Sequence, residues 1–291
     1  MKRKSVWATL LCLAVVAIMV VAATPAVAIL GGQQDNGSPA KYPNVGMVQY
    51  QDPTDNNWYQ FGSCILVADR QVLTAGHVAE FMLETFGSLS LTDKVRVTFD
   101  PLLPGETTTP TYYGVTTAVI HPGYFFPPDY LANAKRFFIG YGREDAAFMW
   151  LDQSVQGITP AQLVRAGGLD EVDFGQAKFT AVGYGINDFV SGNAMSWRNP
   201  NTATSWSGRN FREVSVVSQH EAFTDRYLKI TQAVNFGDSG GPDFDANGIV
   251  VATHIFGSSW RAESPGYEYR LDAPAAQTFL NAWLGRPAPT L

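Results

Sequence analysis

The strongest chemical signal in the chain is the string Gly237-Asp238-Ser239-Gly240-Gly241-Pro242. A serine between glycines can stand on a tight turn at backbone angles costly for other residues. On such a turn the N–H groups of Gly237 and Ser239 can converge on one point. Acyl transfer needs this, because the tetrahedral intermediate of amide hydrolysis carries an oxyanion that requires preorganised donors. A serine hydroxyl is a weak nucleophile until a base takes its proton. Four histidines are available: His77, His121, His220 and His254. His77 ends the run Leu73-Thr74-Ala75-Gly76-His77, whose small residues leave the imidazole room to reach a cleft. Its other ring nitrogen needs an acceptor that fixes the tautomer and stabilises the imidazolium. Asp145 opens the apolar run Asp145-Ala146-Ala147-Phe148-Met149-Trp150-Leu151. A carboxylate there is expected to be partly buried and to need a partner; Glu144 beside it is the alternative. His121 and His220 read as structural or surface residues. No Cys/His cluster or His-x-x-x-His spacing suggests a catalytic metal, so no metal or cofactor is expected. Asp52, Asp55, Asp243 and Asp245 lie near turns and read as solvated acids rather than calcium ligands.

The elements that must position these groups are strands. Short β-rich runs recur at Val45 to Tyr50, Gln71 to Thr74, Val95 to Phe99, Thr116 to Ile120, Ala147 to Leu151, Phe179 to Val182 and Ile249 to His254. Gly, Pro, Asn and Asp separate them, which is the pattern of an antiparallel barrel or sandwich. One helix is expected, over 273–284, where Ala276, Phe279, Leu280 and Trp283 recur at helical spacing. Gly285 and Pro287 then end it. The stretches 125–143 and 187–212 read as long surface loops. A boundary between two β-halves is expected near 153–165, giving units of 29–160 and 161–291.

The first 28 residues read as a signal peptide. Lys2, Arg3 and Lys4 precede an apolar stretch, and Ala26-Val27-Ala28 supplies a small-x-small cleavage pattern. The implied location is extracellular, with no lasting membrane association. Of the two cysteines, Cys12 leaves with that segment, so Cys64 has no intramolecular partner. It lies in an apolar run and reads as a small buried hydrophobe. The chain is acidic, at -6, and loses three more positive charges with the signal. No basic patch suggests nucleic acid.

The order His77, Asp145, Ser239, with Thr-Ala-Gly-His, Asp-Ala-Ala-Phe-Met and Gly-Asp-Ser-Gly-Gly-Pro, resembles the chymotrypsin/trypsin family of serine peptidases, in a bacterial secreted form. Ile29-Leu30-Gly31-Gly32, Val119-Ile120-His121-Pro122, Ala181-Val182-Gly183-Tyr184-Gly185 and Pro265-Gly266-Tyr267 resemble further family landmarks. The resemblance implies an all-β fold of two antiparallel six-stranded barrels with a short C-terminal helix. It implies a monomer acting on protein or peptide substrates in the cleft between the barrels. His77 and Asp145 would come from the first barrel and Ser239 from the second. It also implies that a new α-amino group at Ile29 pairs with Asp238. Gly62 and Val78 stand where members often carry a disulfide. Ala233, Val234, His254 and Gly266 would form the specificity pocket. Uncharged Ala233 favours an apolar or aromatic side chain before the scissile bond, the P1 position. His254 resembles the histidine of glutamate-specific members, whereas Glu268 would put a negative charge behind the pocket. The alternatives are therefore a glutamate-specific peptidase and a non-catalytic homologue that binds protein.

Overall fold

The computed structural model describes residues 29–87, 91–102, 110–125, 144–186, 208–218, 226–231, 233–256 and 265–289. Residues 1–28, read as a signal peptide, most of the expected 125–143 loop, 187–207 and His220 lie outside them. A two-residue strand, β1 (Gln33–Gln34), comes first. Six strands then close on themselves: β2 (Val45–Gln51), β3 (Trp58–Ala68), β4 (Gln71–Thr74), β5 (Val95–Thr98), β6 (Tyr113–Ile120) and β7 (Ala147–Leu151), in the order β2-β3-β4-β7-β6-β5. Closure pairs every edge. The interior is filled by Val48, Leu66, Val72, Val97, Val115 and Met149, with Cys64 among them, all fully buried.

A second closed barrel follows: β8 (Lys178–Gly183), β9 (Asn210–Ser218), β10 (Tyr227–Ile230), β11 (Pro242–Phe244), β12 (Val250–Phe256) and β13 (Gly266–Arg270). The order is β9-β10-β13-β12-β11-β8, and β8 pairs with β9 to complete it. β1 adds to the outside of β9, at Gln33↔Phe211. All pairings between strands are antiparallel. The fold is the one the motifs imply: two six-stranded antiparallel barrels.

The C-terminal helix α2 (Pro274–Trp283) falls within the expected span, opened by a proline at its first turn. It buries Ala276, Phe279 and Leu280. Phe279 packs on Phe148 at 5.2 Å and His121 at 4.9 Å, so the last element of the chain is tied to the first barrel. The helix α1 (Gly76–Phe86) was not anticipated. It carries His77, and it buries Gly76, Val78, Ala79 and Met82. That stripe is too short to stand out in the sequence.

The surface-loop reading of 187–212 is corrected at its end. Arg209 and Asn210 are fully buried, and β9 starts at Asn210. The Arg209 guanidinium pairs with Asp35 at 2.8 Å and donates to the carbonyls of Val45 at 3.0 Å and Phe99 at 2.9 Å. It thereby ties the second barrel to the first. A buried guanidinium is tolerated when most of its donors are matched in this way; among the described residues only Nη2 lacks a partner.

Candidate active site

The register of β4 against β7, with Thr74 opposite Ala147, brings the end of one strand beside the start of the other. His77 follows the first and Asp145 precedes the second. Asp145 accepts twice from His77: Oδ1 from the backbone N–H at 2.9 Å and Oδ2 at 2.8 Å from Nδ1. The pair is shielded unequally, since the His77 side chain is 18% exposed and that of Asp145 2%. A carboxylate held this way favours the tautomer with the proton on Nδ1 and makes Nε2 the ring's acceptor.

Glu144, the alternative, is spoken for elsewhere. It accepts from the Tyr269 hydroxyl and from Arg226 Nε at 3.1 Å. Tyr124, which sequence reasoning missed, walls off the far side. A Cβ on Gly76 would lie 2.7 Å from Tyr124 Cδ2 and 3.1 Å from Asp145 Oδ1, so only glycine fits there. Tyr124 donates to Glu80 at 2.7 Å. Burial, then the Asp145 charge, push its hydroxyl well above the ordinary tyrosine range. His121 is structural as expected: its Nε2 meets the Ala275 carbonyl at 3.1 Å and its Nδ1 accepts from Gly123 N–H at 2.9 Å.

Ser239 sits on a turn bracketed by Gly237 at φ +91° and Gly240 at φ +84°, angles that favour glycine. Its carbonyl accepts from Ser63 N–H at 2.8 Å. A Cβ on Gly240 would collide with Thr74 Oγ1, so the turn lies against the segment leading into His77. Among the described residues, no hydrogen bond joins Ser239 Oγ to His77, and the N–H groups of Gly237 and Ser239 have no acceptor. Their peptides are nevertheless anchored through their carbonyls. Phe236 O accepts from Ile186 N–H at 2.8 Å, and Asp238 O from Gly241 N–H at 2.8 Å. Two fixed, unoccupied donors beside a serine suit a developing oxyanion. Catalytic hydrogen bonds are often loose before substrate arrives.

Asp238 is fully buried. It accepts from Gly185 N–H at 2.7 Å and Asn235 N–H at 2.9 Å. A Cβ on Gly183 or Gly185 would strike its carboxylate. Burial pushes its carboxyl up to about 7. Ile29 is likewise fully buried, and Leu30 N–H donates to Ala233 O at 2.7 Å. With the chain continuous through Ala28, Ile29 and Asp238 share no hydrogen bond among the described residues. Ile29 holds φ +54°, a costly value for a β-branched residue.

The residues expected to form the pocket, Ala233, Val234, Gly266 and His254, are all buried. The space beside Gly266 is bounded by Val234 Cγ2, Glu268 Oε1 and Ile230 Cγ1, at 2.7, 2.9 and 3.0 Å from where a Cβ would stand. His254 and Glu268, which pulled the sequence reading in opposite directions, form a pair, Nδ1 to Oε2 at 2.5 Å. Asp243 completes the cluster and corrects its reading as a solvated acid. It faces the interior from β11 with both carboxylate oxygens buried and without a hydrogen-bond partner among the described residues. Burial pushes the Asp243 and Glu268 carboxyls well above the usual range. The other turn acids are occupied by nearby backbone N–H groups: Asp52 by Thr54, Asp55 by Asn57, Asp245 by Asn247 and Ile249. Cys64 is buried with its thiol pushed up, an inert packing residue. The positions of Gly62 and Val78 do adjoin, and a Cβ on Gly62 would lie 3.0 Å from Val78 Cγ2.

No helix among the described residues is long and apolar enough to cross a membrane. No curated protein matches the chain. The trypsin family model matches residues 31–277, which takes in both barrels, His77, Asp145 and the Ser239 turn. A match over that length, on a pair of six-stranded barrels with these groups at their junction, places the chain in the trypsin family of serine peptidases.

Proposed function

We propose that the chain is an exported serine endopeptidase that cleaves protein and peptide substrates through an acyl-enzyme on Ser239. The observation that carries this is the double acceptance of Asp145 from His77, which supports an imidazole poised as base. Ser239 Oγ attacks the scissile carbonyl carbon as His77 Nε2 takes its proton. The carbonyl oxygen becomes an oxyanion that accepts from Gly237 and Ser239 N–H. The imidazolium, stabilised by Asp145, gives its proton to the leaving amine as the C–N bond breaks. Water, activated by the same histidine, then releases the acid and restores Ser239.

Cleavage after Ala28 would free the amine of Ile29 to meet Asp238. Two features support this: a buried carboxylate whose hydrogen-bond partners among the described residues are backbone N–H groups alone, and a φ at Ile29 that exists only while the 28–29 peptide bond does. The pocket reading remains an apolar or aromatic P1 side chain among Ala233, Val234 and Gly266. A second reading, an acidic P1 side chain, is supported by His254 Nε2, which is buried and has no partner among the described residues.

A fluorophosphonate probe tests the activity. Mature folded protein is expected to be labelled stoichiometrically at Ser239. Absence of labelling would turn the reading toward a non-catalytic binding homologue.

A further inference from the structure

Ser63, on β3, is fully buried, and each of its polar groups is engaged. Its hydroxyl donates to the Gly237 carbonyl at 2.9 Å and accepts from Tyr184 N–H at 3.0 Å. Its N–H donates to the Ser239 carbonyl at 2.8 Å, and its own carbonyl accepts from Thr74 Oγ1 at 2.8 Å. One residue of the first barrel therefore touches three segments: the strand running into His77, the 183–186 segment that cradles Asp238, and the Ser239 turn.

The peptide planes of that turn show what the hydroxyl does. The Gly237 N–H belongs to the 236–237 peptide and the Ser239 N–H to the 238–239 peptide, each anchored at its carbonyl. The 237–238 peptide lies between them, so its orientation sets the angle between the two donors. At its nitrogen end it is held by a long hydrogen bond, from Asp238 N–H to Asn235 O at 3.1 Å. At its oxygen end, among the described residues, it is held by Ser63 Oγ. Gly237, at φ +91°, has no Cβ to resist rotation of that plane.

We propose that the Ser63 hydroxyl is a positioning residue that locks the 237–238 peptide and so holds the Gly237 and Ser239 N–H groups convergent on the oxyanion. This rests on the peptidase reading above. The hydroxyl reaches the chemistry through the turn and touches no substrate. Its removal therefore weakens transition-state binding and leaves ground-state binding intact.

The test compares wild type, Ser63→Ala, Ser63→Cys and Thr74→Val, each as the mature chain. The readouts are kcat and KM on a peptide amide, the Ki of a matching peptide boronic acid, and the pH–rate profile. Ser63→Ala is expected to lower kcat by about 10- to 100-fold, a misaligned donor costing less than a deleted one. KM should stay within about twofold, and boronate affinity should fall in step with kcat/KM. The pH inflection should not move, since the His77–Asp145 pair is untouched. Ser63→Cys, which keeps a weak donor, should fall between. Thr74→Val removes the other side-chain bond to Ser63 and should lower thermal stability, with a kcat loss clearly smaller than that of Ser63→Ala.

Unchanged boronate affinity in Ser63→Ala overturns the proposal, as does an equal kcat loss in Thr74→Val, which would mean general loosening. Should Ser63→Ala not fold, Ser63→Cys with wild-type boronate affinity overturns it equally. Wild type that neither cleaves nor binds the boronate overturns the peptidase reading and this proposal together.

Discussion

The Tyr269 hydroxyl of the second barrel donates to the Glu144 carboxylate of the first, one residue before Asp145. Glu144 holds φ +49°, uncommon for a residue with a side chain, and Arg226 grips its other oxygen at 3.1 Å. Tyr269→Phe removes the hydroxyl alone and leaves a 7% exposed carboxylate short of a donor. Loss of a hydrogen bond to a charged group costs about 2 kcal/mol. Denaturant unfolding should show a lower midpoint with the m-value unchanged. An unaltered midpoint would mean that the clamp adds nothing.

Asp145→Asn keeps the size of the side chain but cannot serve both His77 donors. The amide places its NH2 against either the backbone N–H or Nδ1, and the latter selects the wrong tautomer. A fall in kcat of about 10⁴-fold is expected, with KM little changed. Steady-state kinetics on a peptide amide checks it.

The proposed pairing of Ile29 with Asp238 makes stability depend on pH. In the chain that continues through Ala28, its carboxyl lies at about 7, raised by burial, against about 3.9 when unfolded. A raised acid favours the protonated folded form. Its contribution is complete below about pH 4 and is lost as pH climbs through 7. At ~1.4 kcal/mol per unit, that loss is on the order of 4 kcal/mol. An Ile29 ammonium pairing with the carboxylate removes it. Thermal unfolding from pH 4 to 8 should therefore show the longer form losing stability while the form starting at Ile29 holds. Ser239→Ala in both forms prevents self-cleavage. Asp243 and Glu268, also raised by burial, are present in both forms, so the difference between the curves reports on the pairing of Ile29 with Asp238.

Gly266→Ala puts a methyl 2.7 Å from Val234 Cγ2 and 2.9 Å from Glu268 Oε1. Activity on large P1 side chains should fall by at least tenfold in kcat/KM while small ones survive. Wild-type kcat/KM for P1 Phe over P1 Glu separates the two pocket readings. A ratio above one favours the apolar pocket. A ratio below one that His254→Ala reverses favours the acidic one.

Much of this was legible in residue order. The glycines around Ser239 mark a turn because their φ values demand them, and Asp145 announced its burial by opening an apolar strand. What stayed hidden depends on distant register. Ser63 is one serine in an apolar strand until the barrels meet and set it against Gly237, 174 residues away in sequence. Asp243 looked solvated because it lies two residues from a turn acid, yet strand alternation turns it inward. Arg209 reads as a loop cation until Asp35 and two carbonyls surround it.

The central claim, that Ser239 is the nucleophile of a peptidase, is tested most directly by digesting a defined peptide library with the mature chain and with its Ser239→Ala variant. The account predicts cleavage by the former and a fall of about 10⁶-fold in the latter, with both equally folded. Cleavage that survives the substitution would contradict it.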